Sequence, residues 1–183
     1  VPAGIDSPVV SPDGRWVAFL SRTQHERYRA KGADDGDTSW QAPRRIDRFF
    51  TRLNGEGWVY DRPQHVYVVA ADGTGSPRNL TPGEHEFGRC SWLRDSSGVV
   101  SSAARHDTWD LDLANDLYRV DLDGTVTALT HQTGDYPHPS VSPDGTLVAF
   151  IGHDDASTYP QNCRIGVLPL ASGPHRWVTT SSR

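Results

Sequence analysis

The residues best suited to bind a ligand form a short run of arginines in the first third of the chain: Arg44, Arg45 and Arg48, followed by Arg52. A guanidinium group presents a planar fork of donors that pairs with a carboxylate through two parallel hydrogen bonds. The run could therefore hold the carboxylate of a ligand. The alternative, which we favour, is that these arginines form ion pairs with the acidic remainder of the same protein.

Histidine and acidic residues are not spaced as in known metal sites. The eight histidines are spread singly, and His106 and His153 both precede an aspartate at matching positions. Polar residues at the end of a strand explain that match better than a metal site does. Asp107, Asp110, Asp112, Asn115 and Asp116 have the composition of a calcium loop without the glycine and terminal glutamate of an EF-hand. We therefore expect neither a metal nor a cofactor.

The two cysteines, Cys90 and Cys163, predict neither a zinc site nor a disulfide. They lie 73 residues apart, and neither belongs to a Cys-x-x-Cys pair. A disulfide requires Cα atoms within about 7 Å of each other, whereas these cysteines occupy different positions in successive units of the repeat described next. We predict that both are free thiols.

The elements that position these residues come from a repeated unit. Ser11-Pro12-Asp13-Gly14 runs into the apolar segment Val17-Ala18-Phe19, and Ser142-Pro143-Asp144-Gly145 runs into Val148-Ala149-Phe150, with a weaker copy at Trp92–Asp95. Proline presets φ for a turn, aspartate bonds back to the backbone and glycine accepts positive φ. The repeated aspartates are therefore interpreted as turn residues rather than as catalytic carboxylates.

Three landmarks give the length of the unit. The intervals from Leu80 to Leu129, from Leu129 to Val178 and from Asp95 to Asp144 are each 49 residues. A period of about 40–50 residues is typical of one four-stranded propeller blade. The sequence therefore predicts an all-β fold, a partial β-propeller of three consecutive four-stranded antiparallel blades. We expect these blades at residues 1–82, 83–131 and 132–183.

The first unit carries 33 extra residues, an insertion at about 23–62. Residues 22–53 have a net charge of +3, against −8 for the remainder of the chain. The polar part near 25–39 has no apolar anchors to offset the entropy of ordering, so we predict a mobile loop there. Within 46–69 we predict an ordered hairpin around Asn54-Gly55. Its expected cross-strand packing involves Phe49, Leu53, Trp58 and Tyr60.

Composition and charge limit the classes of function. With 23 acidic and 18 basic residues among 183, the net charge of −5 argues against a nucleic-acid binder. No apolar run approaches the roughly 20 residues that cross a bilayer, and no secretory leader is visible. We therefore predict a cytoplasmic protein without nucleic-acid or membrane partners. The chain has no methionine and begins Val-Pro-Ala, so we expect part of a longer protein.

The repeats resemble the propeller repeats of prolyl oligopeptidase-type serine peptidases and of TolB-like proteins. Residues 48–69, beginning Arg-Phe-Phe-Thr-Arg-Leu-Asn-Gly-Glu-Gly-Trp, are similar to a segment typical of the acylaminoacyl-peptidase branch of that peptidase family. The resemblance covers nearly the whole chain. It implies a propeller that gates the access of peptides to a C-terminal α/β-hydrolase domain carrying Ser, Asp and His. This chain has no Gly-x-Ser-x-Gly elbow, so no catalytic residue carries over.

The resemblance also implies partners and one more binding candidate. In the family's dipeptidyl-peptidase branch, propeller acids bind the free amine of the substrate, and Glu56 in Asn-Gly-Glu-Gly is the most comparable residue here. Because acylaminoacyl peptidases accept blocked termini, the resemblance does not imply an amine-binding role for Glu56. We expect this chain alone to be inactive and its partners to be a peptide substrate and its own hydrolase domain. Self-association of open propeller edges is also expected, because three blades do not close a ring. The alternative function is a TolB-like binding scaffold without catalysis.

Overall fold

The structure, a computed structural model, describes residues 4–24, 46–131, 134–158 and 160–180. Every regular element in these ranges is a β-strand. The described residues therefore contain no helix that is long and apolar enough to cross a bilayer. The strands are β1 (Asp6–Val10), β2 (Trp16–Arg22), β3 (Arg52–Leu53), β4 (Gly57–Trp58), β5 (Gln64–Ala70), β6 (Arg78–Asn79), β7 (Phe87–Trp92), β8 (Gly98–Ala103), β9 (Asp116–Asp121), β10 (Val126–Ala128), β11 (Ser140–Val141), β12 (Leu147–Gly152), β13 (Arg164–Pro169) and β14 (Arg176–Trp177).

Twelve of the strands form three antiparallel sheets of four. Their orders are β1-β2-β5-β6, β10-β9-β8-β7 and β11-β12-β13-β14, so each sheet is a meander in chain order. The first meander is interrupted between β2 and β5, where the insertion was predicted, by the small hairpin β3-β4. The predicted all-β fold with four-stranded propeller blades is confirmed, and the sheets that the described residues form do not close into a ring.

The Ser-Pro-Asp-Gly segments form the turns between the first two strands of the outer sheets, as predicted. Asp144 Oδ1 accepts hydrogen bonds from Ser142 Oγ at 2.5 Å and from the Thr146 amide at 3.0 Å. The Leu147 amide in turn donates to Ser142 Oγ at 3.0 Å. Gly145 has a φ of +75°, a conformation that residues with a Cβ rarely adopt. The repeated aspartate therefore closes a turn.

We expect Asp144→Ala to lower the free energy of unfolding at neutral pH, because it removes the acceptor that closes this turn. The hydrogen bonds from Ser142 and Thr146 lower the pKa of Asp144 from 3.8 to about 2. A carboxylate with a lowered folded-state pKa stabilises the fold above its unfolded pKa and loses that contribution as pH falls through the folded pKa. The difference between wild type and variant in urea titrations should therefore shrink as the pH falls from 3.8 to about 2.

Asp107→Ala is the control for this prediction, because Asp107 is exposed. A deficit for Asp144→Ala that is as large at the acidic end of the titration as at neutral pH would contradict the assigned role of its carboxylate.

The core lies between the sheets. Because successive side chains of a strand point to opposite faces, the middle sheet contributes to two apolar clusters. Val99 and Val120 face the first sheet, whereas Val100 and Leu117 face the third. Their partners include Ala18, Leu20, Val66 and Val68 on one side and Val148, Phe150 and Leu168 on the other. All six residues of β8 are buried, as expected of a strand that is covered on both faces.

The third sheet is covered on one face by the described residues. The apolar run at 147–151 predicts a strand that is buried on both sides, and Val148 and Phe150 are indeed buried. On the other face Ile151 and its cross-strand partner Ile165 are 38% and 47% exposed. The difference arises because no further sheet packs against this face among the described residues.

The cysteines are unpaired, as predicted: Cys90 is buried in β7 and Cys163 is exposed. Burial raises the pKa of the Cys90 thiol to about 12, which keeps it protonated and unreactive at neutral pH. We expect a thiol-specific disulfide reagent to modify one equivalent of thiol in the native protein and two after unfolding in guanidinium. Fast modification of both thiols in the native state would contradict the burial of Cys90.

Candidate functional site

The connectors of all three sheets meet at one end of the stack and enclose a cleft of about 220 Å³. The β2–β5 connector supplies Phe50 and Tyr60, the β8–β9 connector supplies Trp109, and residues 135 and 153 come from the third unit. The turns between the first two strands of the sheets lie at the opposite end of the stack, where the Asp13 amide of the β1–β2 turn donates to Ser96 Oγ of the β7–β8 turn at 3.1 Å. The long connectors, and not the repeated turns, thus build the candidate site.

Arg48 joins the insertion to the second sheet. Its Nη2 donates to Glu84 Oε2 at 2.5 Å. Its guanidinium carbon lies 5.2 Å from the ring centroid of Trp109 and 5.9 Å from that of Tyr60, within the range of a cation–π interaction. Arg48 therefore lies in the wall of the cleft and has an acidic partner in the protein itself.

Arg22 and Glu56 form a second link. Arg22 Nε donates to Glu56 Oε2 at 2.5 Å, and its Nη1 donates to Glu86 Oε1 at 2.5 Å and to the Arg62 carbonyl at 3.2 Å. Burial raises the pKa of Glu86, although the hydrogen bond from Arg22 acts in the opposite direction. One guanidinium thus ties the tip of the hairpin to the segment that precedes β7.

Asp110 provides a third link through the backbone. Its carboxylate accepts hydrogen bonds from the amide of Phe49 at 2.9 Å and from the amide of Phe50 at 3.2 Å. With the backbone held in this way, the Phe49 side chain is 79% exposed. The prediction that Phe49 packs across the hairpin is therefore wrong, because its main chain is anchored to a different sheet.

The hairpin itself forms around Asn54-Gly55, as predicted. It is short: Arg52 pairs with Trp58 and Leu53 pairs with Gly57. Tyr60 lies beyond it and is buried, with its hydroxyl hydrogen-bonded to Asp47. The predicted mobile loop near 25–39 lies outside the described residues.

One part of the cleft combines residues of the second and third units. Asn115 Nδ2 donates to Asp135 Oδ1 at 3.0 Å, and the Asp135 amide donates to the His153 carbonyl at 3.0 Å. Burial raises the pKa of Asp135. His153 is 6% exposed, and its Nδ1 has no hydrogen-bond partner in the described part of the chain.

The four binding candidates predicted from the sequence do not form one group in the structure. Arg44 and Arg45 lie outside the described residues. Arg48 and Glu56 both lie in the insertion and are both in ion pairs, Arg48 with Glu84 and Glu56 with Arg22. The sequence favours ion pairing with acidic groups of the same protein for these arginines, and Arg48 forms such a pair with Glu84.

Several residues of the cleft carry no sequence signal. Glu84, Glu86, Trp109 and Asp135 belong to no motif, and the excess length of the first unit was the one indication of a site here.

The acidic residues of the β8–β9 connector do not converge on one position but make separate contacts. Asp110 binds the insertion, while Asp112 pairs with His106 at 2.9 Å. Within the described ranges, no three His, Cys, Asp or Glu side chains surround a common metal position.

The charge of the cleft is opposite to that of the insertion. Its lining contains one arginine, Arg48, and four carboxylates, those of Glu84, Glu86, Asp112 and Asp135. Arg48 of the insertion is paired with Glu84 of the second unit, whereas Arg62 is paired with Asp61 of the insertion itself. The resulting cleft is acidic, with aromatic walls.

Comparison with known proteins identifies the fold. No protein-family model matches the chain, and no curated protein matches it. Among solved structures, it is similar to TolB from Acinetobacter baumannii, with 16% identity and a TM-score of 0.58 over 97% of this chain and 33% of TolB. It is also similar to acylaminoacyl peptidase from Pyrococcus horikoshii, with 15% identity and a TM-score of 0.64 over 95% of this chain and 25% of the peptidase. A puromycin hydrolase matches at 18% identity and a TM-score of 0.59, over 97% of this chain and 22% of that protein.

At these identities the likeness shows a propeller fold that is shared with TolB proteins and with peptidases. The chain spans a third or less of the length of each of these three proteins.

Proposed function

We propose that the chain is part of the propeller of an acylaminoacyl-peptidase-like serine peptidase, in which it gates the access of peptides to an α/β-hydrolase domain. The observation that carries this proposal is the described part of the insertion, which contacts the second unit through Arg48 and Phe49 and lines a cleft at that end of the stack. The insertion also contains most of the segment 48–69 on which the resemblance to the peptidase branch depends. The repeats by themselves are common to peptidases and TolB proteins.

The cleft has the character of a peptide-binding surface. Phe49, Phe50, Leu111 and Leu113 are exposed beside it, although large apolar side chains are normally buried. Exposed apolar groups next to a few convergent polar groups are typical of ligand sites. We infer that these side chains contact the peptide chain as it passes, while the chemistry of hydrolysis belongs to the catalytic domain.

The test uses the product of the complete coding sequence. We expect it to contain a Gly-x-Ser-x-Gly elbow, to react covalently with a fluorophosphonate probe and to hydrolyse an acetyl-amino-acid p-nitroanilide. The 183-residue chain, assayed in parallel, should give background rates. A complete product that is not labelled by the probe and does not hydrolyse the substrate would overturn the proposal.

The second candidate is a binding scaffold of the TolB type without catalysis. Matches to TolB from Acinetobacter baumannii and to a putative TolB from Agrobacterium tumefaciens cover 97% and 99% of this chain, which is as complete as the 95% and 98% covered by an acylaminoacyl peptidase and a prolyl endopeptidase. The same labelling experiment separates the two functions, because a scaffold of this type contains no activated serine.

A further inference from the structure

We propose that the cleft is a subsite for an organic cation, the guanidinium or ammonium group of a peptide. The proposal rests on the proposed function for the peptide nature of the ligand. Three features of the cleft itself support the binding of a cation.

The first feature is an excess of carboxylates. Glu84 and Glu86 each have an arginine partner, but Asp135 has no basic partner at ion-pair distance among the described residues. The Asp135 carboxylate accepts a hydrogen bond from the neutral amide of Asn115, and the titratable groups near enough to act on its charge are His138 and His153. A partly buried carboxylate in this situation gains most from a cationic ligand, because its own charge is incompletely solvated.

The second feature is the aromatic wall. Arg48 shows how this wall accommodates a guanidinium, since its planar group lies over Trp109 and Tyr60 and is hydrogen-bonded to Glu84. Phe50 extends the same lining. Aromatic faces attract organic cations electrostatically, and the attraction is larger where water is excluded.

The third feature is a buried imidazole nitrogen that has no hydrogen-bond partner among the described residues. His153 lines the cleft beside Asp135 and is almost fully buried, yet its Nδ1 has no hydrogen-bond partner in the described ranges. In the neutral tautomer with the proton on Nε2, Nδ1 accepts a hydrogen bond. The N–H groups of a guanidinium or ammonium are donors without acceptor capacity, so they suit Asp135 and, in this tautomer, Nδ1 of His153. The volume of about 220 Å³ fits one side chain rather than a whole peptide.

The test titrates N-acetyl-arginine N-methylamide into the isotopically labelled 183-residue chain. The matched neutral probe is N-acetyl-citrulline N-methylamide, which has the same shape and no charge. We expect the arginine probe to bind at least about tenfold more tightly and to shift the side-chain amide resonances of Asn115 and the indole resonance of Trp109. Glycylglycine amide tests the second source of the cation, an N-terminal ammonium group, and binding of this probe at the same resonances would also support the cation subsite.

Variants test the role of the carboxylate. Asp135→Asn should weaken binding of the arginine probe by at least about tenfold. Asp107→Asn removes the same charge from the neighbouring connector at an exposed residue outside the cleft, and should leave binding within about twofold. Equal affinity for the arginine and citrulline probes, or unchanged affinity in Asp135→Asn, would overturn the proposal. If Asp135→Asn does not fold, the resonance shifts of the wild-type chain decide, and shifts confined to the Ser-Pro-Asp-Gly turns would overturn it.

This result is independent of the peptidase assignment. Labelling of the complete product by the fluorophosphonate probe together with equal affinity for the two probes would reject the cation subsite alone. Selective binding of the arginine probe without labelling of the complete product would reject the peptidase assignment alone.

Discussion

Replacing Gly98 by alanine is expected to destabilise the protein by about 3 kcal/mol, the upper part of the usual range for overpacking. A Cβ atom at Gly98 would lie 2.4 Å from the carbonyl oxygen of Val120 and 2.9 Å from the Cα of Asp121. Both atoms belong to the backbone of β9, which pairs with β8 through Gly98 and Asp121. The two strands would have to separate in the one sheet that packs on both of its neighbours.

The measurement is the midpoint and slope of urea unfolding for Gly98→Ala. Gly88→Ala is the matched control in the same sheet, because its added methyl group would meet the hydroxyl of Ser102 at 2.5 Å, and that hydroxyl can rotate away. We expect the control to lose much less stability than Gly98→Ala. Equal losses in the two variants would show that the close approach of β8 and β9 is not what requires glycine.

Substituting Arg22 by methionine is expected to cost about 2 kcal/mol and to remove the link between Glu56 at the tip of the hairpin and Glu86. Methionine retains much of the apolar stem but cannot donate to Glu56, Glu86 or the Arg62 carbonyl. Losing one partner of a buried ion pair typically costs about 3–5 kcal/mol. The expected value is smaller here, because the side chain of Glu86 is 36% exposed and water screens part of the charge.

The loss should depend on pH with a defined sign. Burial raises the pKa of Glu86 above 4.5, and the hydrogen bond from Arg22 opposes that rise. Without Arg22 the folded-state pKa of Glu86 rises further. A carboxylate with a raised folded-state pKa destabilises the fold as the pH rises through that value. The deficit of Arg22→Met relative to wild type should therefore be larger at neutral pH than at pH values below 4.5.

Urea titrations at the two pH values measure this difference. Arg15→Met, at an exposed position, controls for the loss of one positive charge. A deficit that is the same at both pH values would mean that Arg22 contributes by packing and not by compensating Glu86.

The fold could be predicted from the sequence because the unit is repeated, so that a strand or turn recognised in one unit indicates the same element at the matching position of the others. The 49-residue interval and the two Ser-Pro-Asp-Gly turns specify where strands must begin, and hydrogen bonds within the turns depend on neighbours in the sequence alone. Local rules of this kind apply before the tertiary structure is known. The Asn54-Gly55 hairpin was predictable for the same reason.

The site was largely unpredictable because it is made of contacts between connectors that share no period. Arg48 and Glu84 are 36 residues apart, and Asp110 is 61 residues from the amide of Phe49. No spacing rule links such residues. The prediction for Phe49 failed in the same way, because the carboxylate that anchors its backbone lies in a different unit. The net charge of the insertion was likewise a poor guide to the charge of the cleft.

The two ends of the sheet stack differ in the length of their loops, and this difference determines where the sequence can be altered without loss of the fold. The turns between the first two strands are five residues long in every sheet, whereas the connectors between the second and third strands have 41, 12 and 11 residues. The short turns fix the spacing of the strands and leave little freedom for substitution. The connectors contribute most of the residues that line the cleft, whereas the pairs within the three sheets are formed by the strands outside them. A library randomised in the β8–β9 and β12–β13 connectors should therefore yield many folded proteins with altered ligand preference, and one randomised in the turns should yield few folded proteins.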